Sequence, residues 1–382
     1  MADINILQLG KFWPVLGGVE KVMYDLTAGL STRGVHCDML CASAGVPPGK
    51  VKVNANANAN ANASVTICPT IAKFSGTMLS PSMIGEVRRR RDKYDLIHVH
   101  HPDPMAALAL FLSGYKGKVV LHWHSDIQKS PLLMAMYKPL QSWLIRRADK
   151  IIGTTPAYLS ASPYLRKVQD KTECIPIGIA PVQPDAQGAA EIRKTYEGKK
   201  IVFTMGRLVP YKGYGCLIES AKYLDDSWMI LIGGSGPMKD ELQAAIDAGG
   251  LASKVKLLGR VPDDKVSAYY TACDIFCLSS IMKTEAFGIV QIEAMSLGRP
   301  VVATKIPGSG VSWVNDDGVS GVNVEPRDPE ALANAFCEIT SSQEKYRKYS
   351  DGALARFNSL FTSDVMITRQ LTCYKKILEA EI

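Results

Sequence analysis

Short apolar runs rich in β-branched residues alternate along this chain with longer stretches whose apolar positions recur every three to four residues. Runs of the first kind predict strands and stretches of the second predict helices. In the first half the predicted strands are Ile4–Leu9, His36–Cys41, Val65–Cys68, Leu96–His100, Val119–His124 and Lys150–Gly153. Helices fit between them, notably Gly18–Gly34 and Pro104–Ser113. The pattern restarts at Lys200–Met205 and continues through Trp228–Ile232, Val255–Leu258, Ile275–Leu278, Pro300–Ala303 and Gly321–Val324. Strands alternating with covering helices build parallel sheets. Two such series predict two doubly wound, Rossmann-like α/β domains, 1–178 and 179–363, joined within the Pro- and Gly-rich stretch Ile175–Gly188. A helix-patterned tail, 364–382, follows the second series and is expected to pack back on the first domain.

A length of 382 residues suits two cores of ordinary size. There is no apolar run of 18 residues to span a membrane and no basic-then-apolar start of a secretory signal, so a cytoplasmic location is expected. Nine scattered cysteines, an odd number with no C-x-x-C pair, predict reduced core thiols. The Asn-Ala alternation from Asn54 to Ala63 has no face worth burying, which predicts a surface loop or a frayed edge strand, near enough to the expected cleft rim for a part in gripping an acceptor.

Charge changes the picture more. Residues 1–180 carry 21 Lys and Arg against 12 Asp and Glu, whereas the rest of the chain is close to neutral. The run Arg88–Arg91 and the pair Arg146-Arg147 fit an anionic partner surface or simply a solvated helix face. Nucleic acid is not indicated, because no interleaved aromatics accompany the basic residues.

Candidate chemistry concentrates at the carboxyl ends of predicted strands, where open α/β sheets bind ligands. After Lys200–Met205 come Gly206-Arg207 and Lys212-Gly213, and two cations five apart on one loop clamp a diphosphate or merely flank a helix start. After Trp228–Ile232 comes Gly233-Gly234-Ser235-Gly236, which permits close approach of a ligand or merely of backbone. After Ile275–Leu278 comes Glu285-Ala286-Phe287-Gly288-Ile289-Val290-Gln291-Ile292-Glu293. The amides of Phe287, Gly288 and Ile289 would be free donors at a helix start, suited to phosphate. Glu285 and Glu293 would accept from sugar hydroxyls.

In the first half, Gly17-Gly18-Val19-Glu20 opens a helix without forming a dinucleotide fingerprint. His124, at a strand end, can donate to a sugar hydroxyl. His98 and His100 share a strand face, so a metal site is one reading. With His101 on the other face and no third ligand apparent, core or rim histidines are the other, and no metal or other cofactor is expected.

Together, Gly17-Gly18-Val19-Glu20, His124-Ser125-Asp126, Gly206-Arg207 with Lys212-Gly213, Gly233 to Gly236, and Glu285 through Glu293 resemble the family 4 retaining glycosyltransferases of GT-B fold, of the bacterial surface-polysaccharide type. The resemblance runs along nearly the whole chain. It departs at Ile177, where many members carry Asn. It implies two Rossmann-like domains facing across a cleft and transfer of a hexose from a nucleotide-sugar donor. Arg207 and Lys212 would hold the diphosphate, Glu285 the hexose and Glu293 the ribose. Gly17, Gly18, Gly206 and Gly234 would line the donor site, and His124 would touch the donor sugar. Front-face attack, the leaving phosphate taking the acceptor proton, would then retain configuration without a metal. GDP-mannose is the first expectation for the donor and a UDP-sugar the second. The acceptor would be a glycan or lipid-linked glycan, with Arg88–Arg91 against an anionic membrane. The rivals are a nucleotide-sugar epimerase, which would not need the Lys212 and Glu285 arrangement, a sugar phosphorylase, which would need a cofactor lysine or phosphate site that the sequence does not offer, and a non-transferring nucleotide-sugar-binding protein, which would release no nucleotide diphosphate.

Overall fold

The computed structural model describes residues 4–53, 63–74, 76–127 and 131–379. They divide into two compact α/β units, one reaching Gly178 and resuming at Ser363, the other running from Ile179 to Thr362.

The first unit is built on an eight-stranded sheet. Across it lie Thr172–Cys174, Lys150–Gly153, Lys118–Trp123, Leu96–His101, Asn5–Trp13, His36–Ser43, Ser64–Cys68 and Gly49–Lys52. All neighbours are parallel except the last pair. The strand order reverses between Asn5–Trp13 and Leu96–His101, which makes the carboxyl ends of those two strands the unit's switch point. Local chemistry sets the helix between the next two strands: Asp103 caps Pro104–Ser113 by accepting from Met105 and Ala106 at 3.0 Å, Pro104 opens it, and Gly114 closes it.

The helix Ser363–Glu379 completes this unit from the far end of the chain. Its Met366, Ile367, Gln370, Cys373 and Tyr374 are buried. It lies so close to the helix Gly18–Ser31 that a Cβ at Gly29 would collide with Ile367. Arg33 fastens the pair by donating to Thr368 at 2.8 Å and pairing with Asp364.

The second unit has a six-stranded, wholly parallel sheet in the order Val255–Gly259, Trp228–Gly233, Lys200–Met205, Ile275–Leu278, Val301–Thr304, Gly321–Val324. Its switch point falls between Lys200–Met205 and Ile275–Leu278. Helices on its faces bury Leu217, Ile218, Leu242, Ile246, Leu332 and Phe336 against strand residues that include Val202, Trp228, Ile230 and Ile275.

Several expectations need correcting. The first strand continues past Leu9 to Trp13, through an irregularity at Gly10 and Lys11. The strand predicted to reach His124 ends at Trp123. The strands Gly49–Lys52, Ala72–Phe74, Thr77–Leu79 and Thr172–Cys174 escape the pattern because they are three or four residues long and none is buried. Of the nine cysteines six are buried, but Cys337 is exposed on the helix Pro329–Ile339. The Asn-Ala run falls outside the described residues except for Ala63, which is buried. The arginine run is largely committed to the fold. Arg89 and Arg90 pair with Glu86, Arg90 also donates to Thr66 at 2.9 Å, and Arg91 donates to the Ser113 carbonyl at 2.8 Å. Of the four, only Arg88 has no partner among the described residues. No helix among the described residues is long and apolar enough to cross a membrane.

The close helix pairing predicts opposite effects at two glycines. Gly29→Val forces Ile367 aside and should lower stability by about 1–3 kcal/mol. Gly85→Ala, in an exposed helix position with open space around it, should raise stability by about 0.5–1 kcal/mol. Urea unfolding of both variants beside the parent checks this; a neutral Gly29→Val would show that the two helices do not interlock there.

Candidate active site

In the second unit the sequence motifs meet at the carboxyl edge of the sheet. Gly234, at φ +140°, sits where any side chain would overlap the Gly206 carbonyl, and Gly236 stands likewise against the Leu208 backbone. Three hydrogen bonds lock these loops together: Gly206 N–H to Gly233 O at 3.0 Å, Leu208 N–H to Ser235 O at 2.9 Å and Met238 N–H to Leu208 O at 3.2 Å. Gly213, in the left-handed region, presses against the Ser279 carbonyl, and the Ser279 hydroxyl donates to Lys212 O at 3.0 Å.

Lys212 is thereby aimed at Glu285, with Nζ 2.5 Å from Oε2, and both side chains are nearly buried. Ser280 donates to the same oxygen at 3.0 Å, and Oε1 has no partner among the described residues. Gly206 lies flush against this pair: a Cβ there would stand 3.3 Å from Lys212 Nζ and 2.8 Å from the Tyr214 hydroxyl. That hydroxyl is buried and has no hydrogen-bond partner among the described residues; burial first, then the Glu285 charge, push its pKa up. Arg207, on the same loop, is exposed and has no partner among the described residues.

Glu285 lies in the loop before the helix Ile289–Ser296 and Glu293 within that helix, as the pattern predicts. The loop is stapled by Ser309, which donates to Glu285 O, and by Gly310 N–H to Ala286 O at 2.9 Å. Gly288 is the N-cap without a side-chain cap, and the Phe287, Gly288 and Ile289 amides find no acceptor among the described residues. Three amides at a helix start make a seat for an anion. Glu293, half-buried, accepts from the Tyr270 hydroxyl at 2.6 Å. Sequence reasoning missed Ser280, Ser309, Tyr214 and Tyr270. Ser280, two residues past the end of a central strand, carried a signal; the others are brought in by tertiary packing.

The first unit's switch point is also polar. Lys11, at φ +59°, donates from Nζ to the Pro102 carbonyl at 2.6 Å and from its amide to Asp103. Glu20 is buried beside them. Burial pushes Glu20 and Asp103 up and Lys11 down, and each opposite charge pulls back. Gly17 is the N-cap of Gly18–Ser31, and a Cβ on it would lie 2.7 Å from Glu20 Oε2. Glu20 thus reaches back over the expected Gly17-Gly18 site, as the third residue of a capping box does.

Beside them four imidazoles form a buried column. His98 stacks on His100 with ring centres 4.6 Å apart and on His122 at 5.3 Å, and His122 stacks on His124 at 3.9 Å. A third potential ligand is therefore present, which the sequence reading did not find: nitrogens of His98, His100 and His122 lie within 4.8 Å of one another. A bound ion would have to lie in the plane of each ring about 2.0–2.1 Å from its nitrogen. These rings are within 26° of parallel, so their lone pairs run alongside rather than converge. His101 faces the other way and stacks on Trp123 at 3.8 Å.

Comparison with known proteins gives the family. Residues 16–182 match the family described as Glycosyltransferase Family 4, and residues 188–356 that described as Glycosyl transferases group 1. O-antigen chain mannosyltransferase C of Escherichia coli is 30% identical over 367 residues, 96% of each chain. D-rhamnosyltransferase WbpZ of Pseudomonas aeruginosa is 28% identical over 351 residues, 91% of this chain and 89% of its own. The crystal structure of HepE from Anabaena in complex with UDP superposes with a TM-score of 0.76 at 20% identity, covering 98% of this chain and all of its own. Fold and motifs together define a glycosyltransferase of GT-B architecture. The chain belongs to glycosyltransferase family 4.

The histidine column predicts acid lability. Burial drives His98, His100, His101, His122 and His124 down, His101 and His122 to about 3, against roughly 6.5 in an unfolded chain. Between those values the unfolded chain binds more protons than the folded one, so stability falls as pH falls from about 6.5 toward about 3. The raised Glu20, Asp25 and Asp103 work the other way, three groups against five. Urea midpoints should therefore drop between pH 7.5 and pH 5, and less so in His122→Phe. Equal midpoints at the two pH values would contradict neutral burial of the column.

Proposed function

We propose that this glycosyltransferase moves mannose from GDP-mannose to a glycan or lipid-linked glycan acceptor in cell-surface polysaccharide assembly, with retention of configuration. The observation that carries the reading is the Lys212–Glu285 pair at the second unit's switch point, walled by Gly206 and adjoined in sequence by the uncapped helix start at Gly288. An ammonium has three protons, and only one is needed by Glu285. Arg207, exposed and without a partner among the described residues, can fork onto the same diphosphate as Lys212. The amides of Phe287, Gly288 and Ile289 add donors, so leaving-group charge is met by preorganised groups and no metal is assigned a part. Glu285 Oε1 accepts from the hexose and Glu293 from the ribose. Catalysis is then positioning and electrostatic stabilisation, the departing phosphate taking the acceptor's proton. The mannosyl preference leans on the name of the relative at 30% identity.

Lys212→Ala and Arg207→Ala should each lower kcat by roughly a hundredfold or more, with unchanged circular dichroism. Near-normal turnover in both would remove the diphosphate assignment. A thermal-shift panel of UDP, GDP, ADP and their sugars identifies the donor: stabilisation by GDP supports the mannosyl reading, and stabilisation by UDP alone moves it to a UDP-sugar. Proton NMR of the product reports the anomer, and an inverted product would end the front-face mechanism. No nucleotide diphosphate release with any donor and acceptor would leave a binding protein.

A further inference from the structure

A continuous polar wire crosses the first unit from its C-terminal helix to His124. The Tyr374 hydroxyl, on Ser363–Glu379, lies 3.2 Å from Gln8 Nε2 and 2.5 Å from His98 Nδ1. Gln8 Oε1 faces His100 Nε2 at 2.7 Å, and His100 Nδ1 faces His124 Nε2 at 3.0 Å. Gln8, His98 and His100 are wholly buried, as is Tyr374, and His124 is 5% exposed. His124 Nδ1 is buried and has no partner among the described residues.

The direction of the wire follows from one end. Gln8 Nε2 also faces the Cys37 sulfur at 3.8 Å. The amide NH₂ carries two protons and in this orientation has two groups to meet, the sulfur and the Tyr374 oxygen, whereas the turned-over amide would face only His100 and leave one buried N–H unmet. The sulfur therefore offers Gln8 a lone pair, and the group facing it is the amide NH₂. Gln8 Oε1 is then an acceptor, and His100 must carry its proton on Nε2. A neutral His100 leaves Nδ1 as an acceptor, so the proton between the two imidazoles sits on His124 Nε2. We infer that Gln8, anchored by Tyr374 and acting through His100, fixes His124 in its Nε2–H tautomer and presents Nδ1 as a hydrogen-bond acceptor for a sugar hydroxyl. This reverses the donor role expected from sequence. The stack of His122 on His124, 12° from parallel, keeps the ring from turning. Gln8, His100 and Tyr374 are positioning residues, because each acts on the sugar through His124.

The sugar ligand rests on the transferase reading above; the tautomer does not. Two-bond ¹H–¹⁵N correlation spectra of the ¹⁵N-labelled protein report which nitrogen of each imidazole is protonated, and with six histidines single substitutions assign them. Without donor, His124 should show an unprotonated Nδ1. Gln8→Met breaks the relay and should give mixed tautomers at His124, with kcat/KM down about fivefold to tenfold, the worth of one neutral hydrogen bond. Gln8→Glu keeps an acceptor toward His100 and should recover the wild-type tautomer and part of the rate. Tyr374→Phe keeps the packing, frees Gln8 and should mix the tautomers as well. A protonated Nδ1 in the wild type, or a His124 signal unmoved in both Gln8→Met and Tyr374→Phe, would overturn the inference. Absence of transfer with every donor would refute the enzymatic reading while leaving the spectra to decide the wire.

Discussion

Backbone pressed against backbone at the carboxyl edge of the second sheet is the constraint on which the rest of that unit depends. The loops after Lys200–Met205 and Trp228–Gly233 approach so closely that only glycine fits at Gly234 and Gly236. The contact fixes the course of residues 206–208, and the packing of Gly213 on the Ser279 carbonyl fixes where the loop ends. Lys212 cannot wander on such a frame. Its charge is held in place by the loop and by the Glu285 carboxylate.

The first unit solves a different problem, that of keeping polar groups buried at its own switch point. Lys11, Glu20 and Asp103 balance one another, with Asp103 also spoken for by a helix start. The imidazoles next to them stay neutral, because burial and the nearby Lys11 charge both oppose protonation of His100 and His124. A neutral imidazole keeps one donor and one acceptor, whereas a charged one has only donors. Neutrality is thus what lets a chain of histidines transmit a direction.

How far composition and spacing reach into this structure depends on the range of the contact. The twelve strands read from apolar runs are found in the two sheets because a buried parallel strand must be apolar on both faces. The loop position of Glu285 and the helical position of Glu293 follow from the same local pattern. The pairing of Arg89 and Arg90 with Glu86 was also within reach, since the spacings are three and four residues on one helix. The histidine column was not. Period-two alternation places His98 with His100 and His122 with His124, but the two pairs meet only because His100 lies opposite His122 in the parallel register. Register is settled by the whole sheet, and nothing local to either strand states it. Tyr374, 366 residues from Gln8, is the extreme case.

The discontinuity of the first unit has a consequence for how the chain is made. Residues 179–362 emerge and can close their own sheet while the opening unit still lacks the helix Ser363–Glu379. Until that helix arrives, Gln8 has no phenol to meet and the face of Gly18–Ser31 around Gly29 stays wet. During synthesis the first unit, although it starts before residue 179, is therefore completed only after the second, once Ser363–Glu379 has been added.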